Sequence, residues 1–143
     1  MGKTCPFCSL AGGLIDQDLV VLQTPAVFVI PTLTQRRSNP GQVIVLPRAH
    51  IVGLPAADPA LLGELFTVVA RIAAAAPAAF GAAGTTTFNN NSAPDQDLAH
   101  LHVHVVPRHH GDRFVIPNPE RQAVPRHERA EIAARLRHAL SQD

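Results

Sequence analysis

Three histidines at alternate positions, His100, His102 and His104, are interleaved with aliphatic residues in the run HLHVHVVPR, and they constrain this chain more than any other stretch. Two is the period of a β-strand, so the three imidazoles leave one face while Leu101, Val103 and Val105 enter the other. The run is therefore predicted as a strand over about residues 100–106, one face aliphatic and the other devoted to imidazole. Imidazole is the side chain that titrates nearest neutrality, and it serves as base, nucleophile or metal ligand. The residues alone leave three readings open: a solvent-facing polar edge, ligands converging on zinc, and a catalytic face.

The chain has 143 residues, enough for one domain with its own core. A net charge of +1 gives no reason to expect a nucleic-acid groove or a membrane surface as partner. No continuous apolar run approaches the roughly 20 residues of a bilayer span. The N-terminal Met1–Pro6 reaches a polar turn before any hydrophobic stretch, so secretion is not expected and the cytoplasm is the expected compartment. Gly2 suggests no lipid anchor, because Pro6 stands where that motif requires Ser or Thr.

Cys5 and Cys8 are the only cysteines, in the run CPFC. In a reducing compartment a CxxC pair reads as half a metal knuckle or a redox couple rather than a structural disulfide. A redox motif of the glutaredoxin type follows a strand, whereas only four residues precede Cys5. A knuckle needs two further ligands from elsewhere in the chain.

Between these motifs, residues 9–18 are turn-rich, and Leu19–Leu22 and Val27–Ile30 read as strands split by Thr24-Pro25. Residues 35–41 read as a loop with Pro40-Gly41 as its turn, followed by the apolar strand Val43–Leu46. Asp58 is a good N-cap and Pro59 suits the first helical position. Leu61, Leu62, Leu65, Val68, Val69 and Ile72 then recur at helical spacing, so a helix is predicted to about Ala76, ended by Pro77. Thr85–Phe88 is β-branched and aromatic, hence a strand, and the polar run 89–97 makes it one arm of a hairpin with the histidine strand. Residues 117–125 look irregular, and 126–140 form an amphipathic helix with Ile132, Ala133, Leu136, Ala139 and Leu140 on one stripe. Strands in succession with inserted helices predict an α+β fold with a largely antiparallel sheet.

The run His100-Leu101-His102-Val103-His104-Val105-Val106 resembles the signature of the histidine triad (HIT) superfamily. The flanks agree with it: Cys5-x-x-Cys8, Val45-Leu46-Pro47-Arg48-Ala49-His50-Ile51, Phe88-Asn89-Asn90-Asn91, Gln96, Pro107-Arg108 and Gly111-Asp112. The similarity covers roughly residues 5–115. It implies a single HIT domain over 1–143, with an antiparallel sheet of about five strands, one long packed helix, and a C-terminal extension from about residue 116 that carries the last helix.

The resemblance also implies a Hint-like, homodimeric nucleotidyl hydrolase or transferase acting on a purine nucleotide conjugate, a phosphoramidate or a phosphoanhydride. The middle histidine, His102, would attack the α-phosphorus and form a covalent nucleotidyl intermediate that water then hydrolyses, with no organic cofactor. Neutral imidazole suits this role, and splitting one displacement into two lowers each barrier. His104 would hold the phosphoryl oxygens, joined by Asn89 and by the loop residues Gln96 and Asp97. In the branch that carries CxxC, the resemblance assigns a structural zinc to Cys5, Cys8, His50 and His100, an ordinary tetrahedral set. That leaves His102 and His104 for phosphorus chemistry. Two other functions fit the same resemblance: a dinucleoside-polyphosphate hydrolase of the Fhit type, and a nucleotide-binding module with little catalysis.

The chain departs from the family at three places. Gln42 follows Gly41 where many members have His, Thr32 or Thr34 falls where a ribose-binding Asp usually stands, and the phosphate loop reads Asp95-Gln96-Asp97. His109, His110, His127 and His138 lie outside the motif and are expected at the surface.

Overall fold

Five short apolar or β-branched runs pair into one antiparallel sheet in this computed structural model, which describes residues 4–117 and 122–142. They are β1 (Leu22–Gln23), β2 (Val27–Pro31), β4 (Val43–Pro47), β5 (Gly84–Phe88) and β6 (Val103–Arg108), in the spatial order β1-β2-β4-β6-β5. The helices are α1 (Pro6–Ser9), α2 (Pro59–Phe80) and α3 (Arg126–Leu140). The expected α+β architecture is present. A second, two-stranded ribbon joins β3 (Thr34–Gln35) to β7 (Gln122–Ala123), within stretches that read as loop from sequence. Residues 118–121 of the expected irregular tail lie outside the described residues.

Strands β2 and β4 are buried at every position, as their unbroken apolar composition requires of strands covered on both faces. Val27, Val29, Val43, Val45, Val103 and Val105 face α2 and α3 and form the larger core with Leu65, Val68, Ile72 and Leu136. Phe28, Ile30, Ile44 and Leu46 face the other way, beneath Phe7, Leu10, Ala11 and Ile15 of the N-terminal segment. His104 pairs with Ile44 of β4 and with Phe88 of β5. Cross-strand partners share a face, so the histidine row stands on this second, smaller core.

The histidine strand is shorter than its alternation suggests. Pairing with β4 stops at Val45↔Val103, and upstream of it the Leu101 N–H donates to the Ile51 carbonyl at 2.6 Å. His100 and His102 therefore lie just before β6, in a segment tied to the connection that follows β4. The expected strand Leu19–Leu22 is likewise reduced to β1, because residues 17–19 close a tight helical turn from the Leu19 N–H to the Asp16 carbonyl.

The Asp58 side chain accepts from the Leu61 N–H at 2.8 Å and Pro59 opens α2, as expected of a good cap followed by N1 proline. The helix does not end at Pro77 but runs to Phe80 and stops at Gly81, which is left-handed at φ 64° and donates to the Pro77 carbonyl. Proline inside a helix forfeits one backbone bond and crowds the preceding turn. One turn from the end, that loss is tolerated while Ala79 remains buried on the core side. At 22 residues, α2 is long and apolar enough to cross a membrane by length and composition, which run length alone did not suggest. Its Leu65, Val68, Val69 and Ile72 are instead spent on the sheet. Helix α3 spans 126–140 as read from sequence and buries Ile132, Ala133, Leu136 and Ala139.

Gly41 enters β4 at φ 105°, and a Cβ there would meet the Phe80 ring at 2.7 Å. Gly41→Ala combines a strained backbone with an overpacked contact and should cost about 1–3 kcal/mol. The expected result is a lower urea midpoint at unchanged slope; an unchanged midpoint would show that the ring yields freely.

Candidate active site and metal centre

Pro6 at the first helical position turns the chain into α1, so Cys5 and Cys8, three residues apart, fall on the same side of one helical turn. The knuckle is held to the sheet by Arg48, which follows β4. Its guanidinium donates to the carbonyls of Thr24 and Ala11 and to Gln23 Oε1, and lies over the Phe28 ring. The same turn carries His50.

Four donor atoms converge here. Those of Cys5, Cys8, His50 and His100 all lie within 4.8 Å of one another. The Cys8 Sγ is 3.2 Å from His50 Nδ1 and 3.6 Å from His100 Nδ1, and the Cys5 Sγ is 3.5 Å from His100 Nδ1. A tetrahedral zinc with arms of ~2.3 Å to sulfur and ~2.0 Å to nitrogen sets its ligands about 3.3–3.8 Å apart. The residues therefore fit the ion in both chemistry and spacing.

His100 is fully buried and its Nε2–H donates to the Pro47 carbonyl at 2.8 Å. That bond fixes the tautomer that offers Nδ1 to the thiols, the outer-shell arrangement usual for a ligating histidine. Burial holds His100 below the ordinary imidazole range, with the Pro47 bond opposing and His50 and His102 adding to the fall. It stands neutral, as a ligand must. Burial, with the Cys5 side chain next to it, holds the Cys8 thiol above its usual range.

The His100 carbonyl also reaches the next histidine, accepting the His102 Nδ1–H at 2.7 Å. The lone pair of neutral His102 is thereby placed on Nε2. Phe7, inside the CPFC turn, meets both rings edge-on, at 5.6 Å from His100 and 5.4 Å from His102. His104 lies 5.0 Å from His102 and stacks on Phe88 at 4.3 Å and 9°. Its Nδ1 sits 2.9 Å from the Gln42 side-chain nitrogen.

Asn89, Gln96 and Asp97, the other residues expected to contact phosphate, have the following places within the protein. Asn89 Nδ2 donates to the His102 carbonyl at 2.9 Å, and Asn91 donates to Asn89 Oδ1, so Asn89 pins the backbone of His102 itself. Gln96 donates to the Val52 carbonyl at 2.6 Å and accepts from the Ser92 N–H, bracing the loop. Asp97 is exposed. His110, His127 and His138 are exposed as expected, but His109 is half-buried, its N–H held by Asp112. Asp112 also accepts two bonds from Arg108 and one from Asn39, and these bonds keep its carboxyl well below the usual range.

Sequence reasoning missed how much of the site is supported from residues 35–42. Gln35, Arg36, Asn39 and Gln42 are all buried, in a stretch whose composition reads as an exposed loop. The available signal was two amides flanking a tight Pro-Gly turn beside a fully apolar strand.

Comparison with known proteins agrees with this architecture. Residues 16–111 match the model of the HIT domain. An uncharacterised HIT-like protein of Mycobacterium tuberculosis is 29% identical over 136 residues, covering 85% of this chain and 88% of that one. Among solved structures, a HIT-like protein of Bartonella henselae involved in cell-cycle regulation superposes with a TM-score of 0.84 at 28% identity, over 97% of this chain and 98% of the other. A zinc-bound histidine triad family protein of Mycobacterium smegmatis gives 0.82 at 28% identity, over 97% and 94%.

Metal uptake should be proton-coupled, because the thiols must ionise to ligate. Protein stripped with a chelator and titrated with zinc should bind one ion per chain, release protons, and bind more weakly as pH falls. Cys8→Ser should lose most of the affinity. Uptake that is independent of pH and of Cys8 would place the metal elsewhere.

Proposed function

The chain belongs to the HIT domain family, and from that premise we propose that it is a nucleotidyl hydrolase or transferase acting at the α-phosphate of a purine nucleotide conjugate. His102 is its nucleophile. The observation that carries this reading is the hydrogen bond from His102 Nδ1–H to the His100 carbonyl, which directs the lone pair of the neutral ring to Nε2. In the first step Nε2 attacks phosphorus, and the bond to the leaving amine or phosphate breaks with its electron pair, a leaving amine taking up a proton from solvent as it departs. In the second, water attacks the same phosphorus. The P–Nε2 bond breaks, the ring recovers its lone pair, and the proton of the attacking water passes to solvent.

The residues around His102 assist by position. Asn89 and the His100 carbonyl hold the nucleophile between them, one at its backbone and one at its ring. His104 stands beside it, where an N–H donor meets charge developing on the phosphoryl oxygens.

Zinc at Cys5, Cys8, His50 and His100 is structural in this reading. A closed set of four protein ligands leaves no open position for substrate, so the ion supplies stability rather than chemistry. The zinc-bound state of the mycobacterial relative supports this assignment. The chain works in the cytoplasm as a homodimer, with neither nucleic acid nor membrane as partner. For the dimer, α2 offers an outer face that includes Phe66, 44% exposed, and β5 is an edge strand of the sheet.

His102→Asn keeps a neutral side chain of similar size but removes the nucleophilic nitrogen. On a fluorogenic adenosine phosphoramidate, kcat should fall by several orders of magnitude, while binding of the nucleoside monophosphate product changes less than about tenfold. Turnover within a few-fold of the parent protein would end the assignment. Light scattering at micromolar concentration should give twice the chain mass; a monomer's mass would refute the dimer.

A further inference from the structure

The buried polar network of residues 35–42 converges on one atom of the histidine row. Gln42 is 6% exposed, and its backbone is clamped by Gln35, which accepts from the Gln42 N–H at 3.0 Å and donates to its carbonyl at 2.9 Å. Its side chain lies between two groups. Arg36 Nε is 3.1 Å from Oε1, and His104 Nδ1 is 2.9 Å from Nε2.

An amide can be turned end for end in this position, but only one orientation is chemically consistent. The Arg36 Nε–H is always a donor, so the atom facing it must be the oxygen. Arg36 is itself 5% exposed, with Nη1 donating to the Val115 carbonyl at 2.8 Å and its guanidinium 4.4 Å over the Phe114 ring. It cannot swing away cheaply. The amide NH2 is therefore turned on His104 Nδ1, which must accept. A neutral ring that accepts at Nδ1 carries its proton at Nε2. Phe88, stacked at 4.3 Å on the ring face, sets the plane in which that N–H lies.

We propose that Gln42, oriented by Arg36, is a positioning residue that holds His104 in the Nε2–H tautomer, so that this ring presents a fixed donor beside His102. The usefulness of that donor rests on the phosphoryl-transfer reading above; the tautomer itself does not. The two neighbouring rings are then set oppositely by two different devices. A backbone carbonyl places the lone pair of His102 on Nε2, and an amide places the proton of His104 on Nε2. A nucleophile and an electrophilic donor, made from the same residue type, lie side by side. An amide does not titrate, so this assignment stands wherever His104 is neutral.

Two-bond proton–nitrogen correlation spectra of protein labelled in its histidine rings read the tautomer directly, at about pH 8 where imidazole is largely neutral. The parent protein should show His104 protonated at Nε2 and unprotonated at Nδ1. A ring protonated at Nδ1, or a mixture of the two forms, overturns the proposal without any variant. Gln42→Glu replaces the donor by an acceptor and should move the proton to Nδ1, lowering kcat ten- to a hundredfold with KM changed less than threefold. Arg36→Met frees the amide to turn and should give a tautomer mixture and a smaller fall in kcat. If Gln42→Glu folds and leaves the tautomer unchanged, the proposal fails. If the parent protein turns over no nucleotide conjugate, the functional reading fails, while the spectra still decide the tautomer.

Discussion

His100 has every polar atom of its ring and its carbonyl in use, and the site depends on that one residue being buried. Its Nε2–H is taken by the Pro47 carbonyl, its Nδ1 faces two thiols, and its own carbonyl receives His102. A fully buried imidazole without such partners would carry a large desolvation cost. Placed at the end of β4 and just before β6, the cost is met by bonds that also build the metal set and aim the neighbouring ring. The cysteine knuckle and the histidine row are thus mechanically one object, joined further by Phe7, whose ring meets those of His100 and His102.

That coupling explains why three histidines of similar local sequence serve three ends. His100 lies beyond the sheet ladder and turns into the knuckle. His102 sits at the junction, anchored by backbone on one side and by Asn89 on the other. His104 is inside the ladder, opposite Ile44 and Phe88, and answers to the buried loop through Gln42. Their environments set which nitrogen of each carries its proton; the sequence spacing makes them neighbours.

Much of this was legible from residue pattern. The period-two run located the histidine face, the apolar runs located β2 and β4, and the stripe of α3 was read to its ends. The convergence of Cys5, Cys8, His50 and His100 came from family resemblance and is met by the geometry. Tertiary context overrode local signals elsewhere. Pro77 lies inside α2 because a buried alanine follows it and Gly81 closes the turn. The strand expected from Leu19 shrank because Asp16 captures the Leu19 N–H. The loop 35–42 was harder to read for a different reason: polar composition signals exposure, and two amides around a Pro-Gly turn give little sign that Gln35, Arg36 and Gln42 bond one another when buried while Asn39 bonds Asp112 and the Pro107 carbonyl. Asn89, expected near the phosphate, donates to the backbone carbonyl of His102, a contact that local sequence does not announce.

The central claim is that one ring of the three becomes covalently attached to phosphorus. It is tested most directly by acid- or base-quenching a reaction with a nucleoside phosphoramidate within one turnover and mapping the modified peptide by mass spectrometry. The account requires a nucleotidyl group on His102 alone, formed and lost at rates compatible with turnover. Modification at His100 or His104, or rapid product release with no adduct at any quench time, would contradict it.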